Sequence, residues 1–186
     1  MILPIYTYGQ PVLRKEAKEI GPDYPKLGET IQDMWETLAR SHGVGLAAPQ
    51  VGLSIRLVVI DLDCISDDEP QYAGYKRVFI NPYVIEADNR ELEAQEEGCL
   101  SLPGLSEKVI RPTRIHVTYQ DENFQEHNEW VDGFLARVMQ HEFDHLDGVV
   151  YTDHLKGLRR QLMATKLKQL AKGMFSADYK VKPLRK

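Results

Sequence analysis

Apolar residues recur along this chain at two kinds of spacing, and each kind predicts a different element. Spacings of four, three and four predict an amphipathic helix over residues 25–41. Its apolar stripe consists of Leu27, Ile31, Met34 and Leu38. An unbroken apolar run over residues 57–60 predicts a buried strand. Shorter runs over 78–80 and 83–85 predict two short strands that are interrupted by an Asn-Pro pair.

Apolar and polar residues alternate in the second half of the chain before helical spacing returns. Residues 115–119 and 126–131 are predicted to form two strands joined by a turn. Helical spacing follows over residues 133–146 and 155–172, and Asp153 is the expected N-cap of the last helix. The residues expected on the packed face of that helix are Leu155, Leu158 and Leu162.

The order of these elements favours an α+β fold, because strands and helices do not alternate regularly. We expect short, mostly antiparallel strands packed around a central buried helix over residues 133–146, with a further helix near the C-terminus. The length of 186 residues suits one domain. We place this domain over residues 1–173 and expect a loose basic tail over residues 174–186.

Charge is divided unevenly, although the net charge is only −5. From His154 onward there are ten Lys or Arg residues and one acid, whereas the first 153 residues contain 13 basic and 27 acidic residues. This split indicates a polyanionic partner for the C-terminal part. No apolar run could span a membrane and no signal peptide is visible, so we expect a cytoplasmic protein without a membrane partner.

The strongest chemical signal is the H-E-x-x-H run His141-Glu142-Phe143-Asp144-His145. Residues four apart lie on one face of a helix, so both imidazoles can bind one metal ion. The glutamate between them can reach a metal-bound water and act as its base. Phe134 and Val138 continue the same stripe toward the core, where unpaired polar groups would be costly. The run therefore predicts a metal site.

Two histidines do not complete a catalytic metal site, which typically has three protein ligands. No glutamate follows Glu142, and Tyr151 stands where a metzincin would have its third histidine. The remaining downstream options are Asp147, Asp153 and His154. Upstream, the thiol of Cys99 is an option because a metal ion lowers its pKa strongly. Two cysteines, Cys64 and Cys99, are too few for a disulfide framework.

The segment from Gly43 to Gln50 is rich in small residues. Its glycines and alanines allow the backbone to approach a ligand closely, and Gln50 offers an uncharged NH₂ donor. The alternative interpretation is a tight turn that leads to the strand at 57–60. A phosphate loop is disfavoured, because no Lys-Ser/Thr pair follows the glycines.

Taken together, three segments resemble the motifs of peptide deformylases. The family's motifs have the form G-φ-G-φ-A-A-x-Q, E-G-C-L-S and Q-H-E-x-D-H, where φ is apolar. They match residues 43–50, 97–101 and 140–145 in that order. Residues 2–14 also look like the family's N-terminus, and the Leu-Pro-Gly after the second motif is similar to the bacterial type I subgroup. The resemblance extends to about Gly173.

This resemblance implies a hydrolase that removes the N-formyl group from the initiator methionine of nascent polypeptides and releases formate. It implies one divalent metal ion, natively Fe²⁺, with Zn²⁺, Ni²⁺ or Co²⁺ as substitutes in purified protein. The implied metal ligands are Cys99, His141 and His145. Glu142 is the implied general base, and the side-chain amide of Gln50 and the backbone N–H of Leu100 are the implied donors to the oxyanion.

The resemblance also implies contacts around this site. A shallow apolar pocket near Val44 and Val138 would take the methionine side chain, and the peptide would pair along Gly45 like an added strand. An ion pair between Arg111 and Asp144 would steady the metal-binding helix. The basic C-terminal helix and tail would contact the ribosome transiently, and no DNA partner is implied.

Two other functions remain open on the sequence. A general H-E-x-x-H endopeptidase would need a downstream third ligand and would tolerate Cys99→Ala. A non-catalytic metal-binding protein associated with the ribosome would have no need of Glu142 or Gln50. The histidines expected to be surface or turn residues are His42, His116, His127 and His154.

Overall fold

The computed structural model describes residues 1–184, which form nine strands and three helices. In chain order the strands are β1 (Ile5–Tyr6), β2 (Gly45–Ala47), β3 (Leu57–Asp61), β4 (Lys76–Ala87), β5 (Leu92–Gly98), β6 (Ser106–Pro112), β7 (Arg114–Gln120), β8 (Glu126–Asp132) and β9 (Val181–Lys182). The helices are α1 (Leu27–Arg40), α2 (Gly133–Leu146) and α3 (Gly157–Ala171). One antiparallel sheet has the order β2-β3-β4-β7-β8, β5 and β6 form a hairpin, and β1 pairs with β9 in parallel.

A helix covers each face of the five-stranded sheet, so strand β3 is buried on both sides. Along β3, Val58 and Ile60 pack in the hydrophobic cluster that contains α2 residues, whereas Leu57 and Val59 pack in the cluster that contains α1 residues. Successive side chains of a strand point to opposite faces. A strand segment between two helices therefore carries apolar residues on both faces, and the prediction of a buried strand over residues 57–60 is confirmed.

Helix α2 is surrounded by protein, with nine of its fourteen residues buried. The apolar ones that pack in the cluster against the sheet are Ala136, Val138, Met139, Phe143 and Leu146. The polar ones are Arg137, Gln140, Glu142 and His145. Buried polar side chains need partners, and Arg137 and Gln140 find theirs in the β5–β6 hairpin, outside the five-stranded sheet. The predicted central buried helix over residues 133–146 is confirmed.

The β5–β6 hairpin was not predicted from the spacing of apolar residues. Its strands pair in continuous register, from Leu92 opposite Pro112 to Gly98 opposite Ser106. Only one side chain of β5 is buried, and it belongs to the charged residue Glu97. Without buried apolar side chains, β5 gives no alternating signal. The hairpin matters because it leads directly to Cys99.

The two short strands predicted around the Asn-Pro pair are one strand, β4. Asn81 adopts a left-handed backbone conformation with φ 50°, and the register with β7 shifts between Ile80 and Tyr83. The Asn81 side chain bonds the backbone N–H and C=O of Ile20 at 3.0 and 2.8 Å. The pair is therefore a bulge within a strand rather than a break between two.

Helix α3 begins later than predicted, and Asp153 is not its N-cap. Asp153 lies in a short 3₁₀ turn, where it accepts hydrogen bonds from the Arg14 side chain and from the backbone N–H of Val150. Lys156 holds the N-cap position instead. The Asp153 carboxylate is therefore hydrogen-bonded within and beside this turn, and it does not cap the helix.

The packed face of α3 also differs from the prediction. Leu155 is buried, but it precedes the helix, whereas Leu158 and Leu162 are 68% and 63% exposed. Met163 and Leu170 are the buried residues of this helix. The predicted apolar stripe was counted from Leu155, which lies outside the helix, and it therefore indicated the wrong face.

Residues 174–184 return along the N-terminus, so the prediction of a loose tail is wrong for them. Strand β9 places Val181 opposite Ile5, and the N–H of Ile5 donates to Lys180 C=O at 2.8 Å. Arg185 and Lys186, the end of the predicted tail, lie outside the described residues. The division of the chain at residue 173 stays a prediction.

These elements confirm the predicted α+β class with mostly antiparallel strands around a central helix. Within residues 1–184, no helix combines the length and the apolar character that a membrane span requires.

Gly148, directly after α2, gives a test of how tightly this helix end is packed. Its φ is +72°, and an added Cβ would lie 2.9 Å from backbone atoms of Arg14. We expect Gly148→Ala to lower the free energy of unfolding by about 3 kcal/mol, because left-handed strain adds to overpacking. Urea denaturation measures this loss.

Gly173→Ala is the matched control. Gly173 has φ +77°, but an added Cβ would meet nothing within 4 Å. This variant should lose only about 1 kcal/mol, from backbone strain alone. Equal losses in the two variants would show that the contact with Arg14 does not constrain the end of α2.

Candidate active site

Three potential metal ligands from two parts of the chain meet beside α2. Cys99 follows β5, and His141 and His145 lie one turn apart on α2. The ligand atoms all lie within 4.8 Å of one another, and Cys99 Sγ is 3.2 Å from His145 Nε2. The described residues contain no other group of three side chains with this geometry. The structure thus brings the upstream cysteine to both histidines.

The downstream alternatives for the third ligand lie elsewhere. Asp147 and Asp153 accept hydrogen bonds from arginines outside this group. His154 Nε2 lies 2.7 Å from an oxygen of Asp144. The endopeptidase hypothesis needed one of these residues as a ligand, and the geometry offers none of them.

The environment of Cys99 favours the thiolate. Burial by itself raises the pKa of this thiol, but the charge of His145 and hydrogen bonds with His141 and His145 lower it to about 5. The thiolate is the form that binds metal ions.

His141 is held by a buried carboxylate. Its Nδ1 donates to Glu97 Oε2 at 2.9 Å, which leaves Nε2 free to face a metal ion. Burial raises the pKa of Glu97, but hydrogen bonds from His141 and Arg111 outweigh it and bring the pKa well below its usual range. Arg137 also donates to Glu97, at 2.8 Å. The carboxylate is therefore ionised and fixes the orientation of the imidazole.

Arg111 connects this carboxylate to a second one. Its guanidinium donates to Glu97 at 2.6 and 3.0 Å and to Asp144 at 2.9 Å. The predicted ion pair between Arg111 and Asp144 is confirmed. His154 was expected to be a plain surface or turn residue, but it takes part in this network through Asp144.

Glu142 is buried without a partner for one carboxylate oxygen. It is 5% exposed, and its Oε2 bonds to no group in residues 1–184. Burial raises the pKa of Glu142 to about 7. Its other oxygen packs against Gly45, where a Cβ would come within 2.6 Å of Oε1. The absence of a side chain at Gly45 thus makes room for this carboxylate.

Gln50 is fixed at both ends of its amide. Its Oε1 accepts from Ala47 N–H at 2.8 Å, and its Nε2 lies 3.5 Å from Cys99 Sγ and 3.3 Å from Ser101 Oγ. The small-residue segment therefore forms β2 and a 3₁₀ turn, which hold the amide nitrogen beside the thiolate.

These side chains surround one cavity of about 550 Å³. Eight of the nine predicted site residues line it, namely Val44, Gly45, Gln50, Cys99, Leu100, Val138, His141 and Glu142. His145 lies behind them and is buried. The polar lining residues that the sequence interpretation missed include Glu97, Arg137 and Tyr179. Glu97 could have been found inside the E-G-C-L-S motif, whereas Tyr179 carries no local signal.

A family model described as polypeptide deformylase matches residues 2–161. The chain belongs to the peptide deformylase family. The peptide deformylase of Christiangramia forsetii is 47% identical, over 98% of this chain and 96% of that protein. That of Cytophaga hutchinsonii is 43% identical, over the full length of both.

Solved structures agree with this assignment. A crystal structure of peptide deformylase from Thermus thermophilus has a TM-score of 0.80 at 38% identity, covering 93% of this chain and 99% of that one. A complex of the Synechococcus elongatus enzyme with actinonin has a TM-score of 0.77 at 37% identity, covering 98% and 92%. The prediction of an enzyme, a metal-dependent deformylase with a Cys/His/His site, is confirmed.

Removing Arg111 tests the buried charge network. The Arg111 side chain is 5% exposed, and its loss would leave Asp144 without a guanidinium partner and Glu97 with only that of Arg137. We expect Arg111→Ala to lower the free energy of unfolding by roughly 3–5 kcal/mol, the usual cost of breaking a buried ion pair. Urea denaturation of the metal-free protein measures it.

Arg90→Ala is the control for loss of an arginine in an ion pair. The Arg90 side chain is 88% exposed and pairs only with Asp88, two residues away. Exposed pairs of this kind contribute little. Its unfolding midpoint should match that of the unmodified protein, and an unchanged midpoint in Arg111→Ala as well would refute the stabilising role of the network.

Proposed function

We propose that this protein removes the N-formyl group from the initiator methionine of nascent polypeptides and releases formate. The observation that best supports this is the buried, unpaired carboxylate of Glu142, which lines the same cavity as Cys99 and His141. A protein that only bound metal would gain nothing from such a carboxylate, because burying it without a partner is costly. Membership of the deformylase family supports the reaction class.

The donor set fits a divalent metal ion. A thiolate and two imidazoles converge, and Glu97 holds Nδ1 of His141 so that its other nitrogen is free. When bound, the ion supplies a Lewis acid that polarises a carbonyl and lowers the pKa of water. We propose Fe²⁺ as the native metal, as the family resemblance implies. The ligands alone would suit Zn²⁺ equally well.

Glu142 has the position and the pKa of a general base. A group with a pKa of about 7 is partly ionised at neutral pH, so it can take a proton from the attacking water and later return it to the leaving amine. The reaction then needs no other proton donor: water and the formamide become formate and a free amino terminus.

The oxyanion that develops on the formyl carbon needs hydrogen-bond donors. The NH₂ of Gln50 lies beside Cys99, and the backbone N–H of Leu100 donates to no acceptor in the described chain. Both residues line the cavity. Each such donor is typically worth about 10²–10³ in rate.

The peptide itself has an edge strand available. β2 lies at one edge of the five-stranded sheet, and its first residue, Gly45, lines the cavity. An extended peptide can add to such an edge through main-chain hydrogen bonds. We propose that it pairs along Gly45 and that the methionine side chain lies against Val44 and Val138.

The partner in the cell follows from this substrate. Nascent chains emerge at the ribosome, and the two relatives named above are bacterial, so we propose a cytoplasmic enzyme that contacts the ribosome transiently. Helix α3 supports this contact, since it presents exposed Leu158 and Leu162 beside a basic surface. Its basic residues are Arg159, Arg160, Lys166 and Lys168.

Formate release from a formyl-Met tripeptide tests the activity. Protein loaded anaerobically with Fe²⁺ should release formate. Glu142→Ala should keep its metal and lose about 10²–10⁴ in kcat, since it removes the base. Cys99→Ser should lose both metal and activity. Metal content is measured on the same samples by atomic absorption.

Glu126→Ala, which removes an exposed carboxylate on β8, is the matched control and should retain full activity. No formate from iron-loaded, folded, unmodified protein would favour the non-catalytic metal-binding alternative. Full activity in Cys99→Ser would instead favour a metal site with a third ligand other than Cys99, as in the endopeptidase alternative.

Co-sedimentation with ribosomes tests the contact through α3. Charge reversal at Arg160, Lys166 and Lys168 should weaken binding and reduce its salt dependence, because fewer counterions are released from RNA. The matched control reverses two exposed charges near the N-terminus, Lys15 and Lys18. Binding that is equally strong in both variants would count against α3 as the contact.

A further inference from the structure

Tyr179, near the C-terminus, reaches the cavity that contains the metal ligands. It lines this cavity, and its hydroxyl donates to the backbone C=O of Leu100 at 2.8 Å. The family match ends at residue 161, so Tyr179 lies outside the matched range. A residue beyond that range therefore touches the residue next to the cysteine ligand.

The segment of residues 174–184 is anchored on both sides of Tyr179. Before it, Phe175 packs against the hydrophobic cluster that also borders Cys99. After it, Val181 pairs with Ile5 in the parallel β1–β9 ladder. The Gln10 side chain donates to the carbonyl of Pro183 at 3.0 Å. The position of the phenol is thus set by contacts on either side.

In the turn that begins at Cys99, the backbone carbonyls of Cys99, Leu100 and Ser101 each accept one hydrogen bond. The carbonyl of Cys99 accepts from Leu102 N–H at 2.9 Å, and that of Ser101 accepts from Tyr8 N–H at 2.8 Å. Both of these donors are backbone groups. The carbonyl of Leu100 accepts instead from the side chain of Tyr179. Of these three bonds to carbonyls, it is the one that a side-chain substitution can remove.

The Tyr179 hydroxyl is suited to act as a permanent donor. Burial raises the pKa of Tyr179 to about 12, so the phenol remains protonated at neutral pH. Its ring packs in the same hydrophobic cluster as Leu100. The C=O and the N–H of Leu100 belong to two rigid peptide planes that meet at its Cα. Fixing the C=O therefore limits its N–H to the directions that the allowed φ and ψ angles of Leu100 permit.

We propose that Tyr179 is a positioning residue for the deformylation reaction: it holds Leu100 so that the Leu100 N–H meets the oxyanion, and its ring forms one wall of the peptide cavity. This inference rests on the proposed function. The phenol itself exchanges no proton with the substrate, and it acts through Leu100.

Tyr179→Phe removes the hydroxyl and keeps the ring. Losing one neutral hydrogen bond that aligns a transition-state donor should lower kcat about three- to tenfold. KM for a formyl-Met tripeptide should stay within about twofold, because the wall of the cavity remains. Tyr179→Ala removes the wall as well, so KM should rise in addition. Rates are expressed per metal-loaded molecule.

Tyr24→Phe is the matched control. Tyr24 is a partly buried tyrosine in the same hydrophobic cluster, it does not line the cavity, and its hydroxyl makes no hydrogen bond among residues 1–184. Its kinetics should equal those of the unmodified enzyme. Thermal melting of both phenylalanine variants checks that each is folded.

The outcomes separate this inference from the proposed function. No formate from the unmodified enzyme would mean that the proposed function is wrong. An active unmodified enzyme whose kcat is the same in Tyr179→Phe and Tyr24→Phe would overturn the role of Tyr179 alone. A lower kcat that disappears after correction for metal content would also overturn it, since the hydroxyl would then act on stability rather than on alignment.

Discussion

The buried carboxylate of Glu97 is the constraint on which the rest of the site depends. A charge removed from water has to be paired, and here its partners come from different elements: Arg111 from β6, and Arg137 and His141 from α2. Satisfying one charge therefore fixes the hairpin against the helix. Since the hairpin leads to Cys99 and the helix carries His141, the same pairing also brings two of the three metal ligands together.

Two parts of the fold are stabilised in different ways, one by apolar packing and the other by polar contacts. The five-stranded sheet and its two covering helices supply the apolar clusters that make α2 rigid. The hairpin has little apolar interior of its own and is held by charge and hydrogen bonds. The third metal ligand thus sits on the part of the fold held by polar contacts, and the two histidines sit on the part held by packing.

The sequence predicted those parts of the fold that have a local pattern of apolar and polar residues. Helix α2 followed from the spacing of Val138, His141 and His145, and the buried strand followed from the run at 57–60. Cys99 was one of several candidate third ligands, and only the motif resemblance selected it, because no spacing rule links it to a helix some forty residues away. The β5–β6 hairpin was not predicted, because the one buried side chain of β5 is charged and β6 buries only Val109 and Arg111. The contact of Tyr179 with Leu100 was not predicted, because it joins distant parts of the chain and no local sequence pattern indicates such a contact.

The parallel β1–β9 pair has a consequence for the order of folding. Its two strands come from opposite ends of the described chain, so their pairing closes a loop of nearly the whole polypeptide. The conformational entropy of that loop is lost before the contact contributes any stabilisation. Pairings of such long sequence separation are slow to form. The sheet and α2 can assemble without β9, so the wall of the cavity at Tyr179 is completed in a late step.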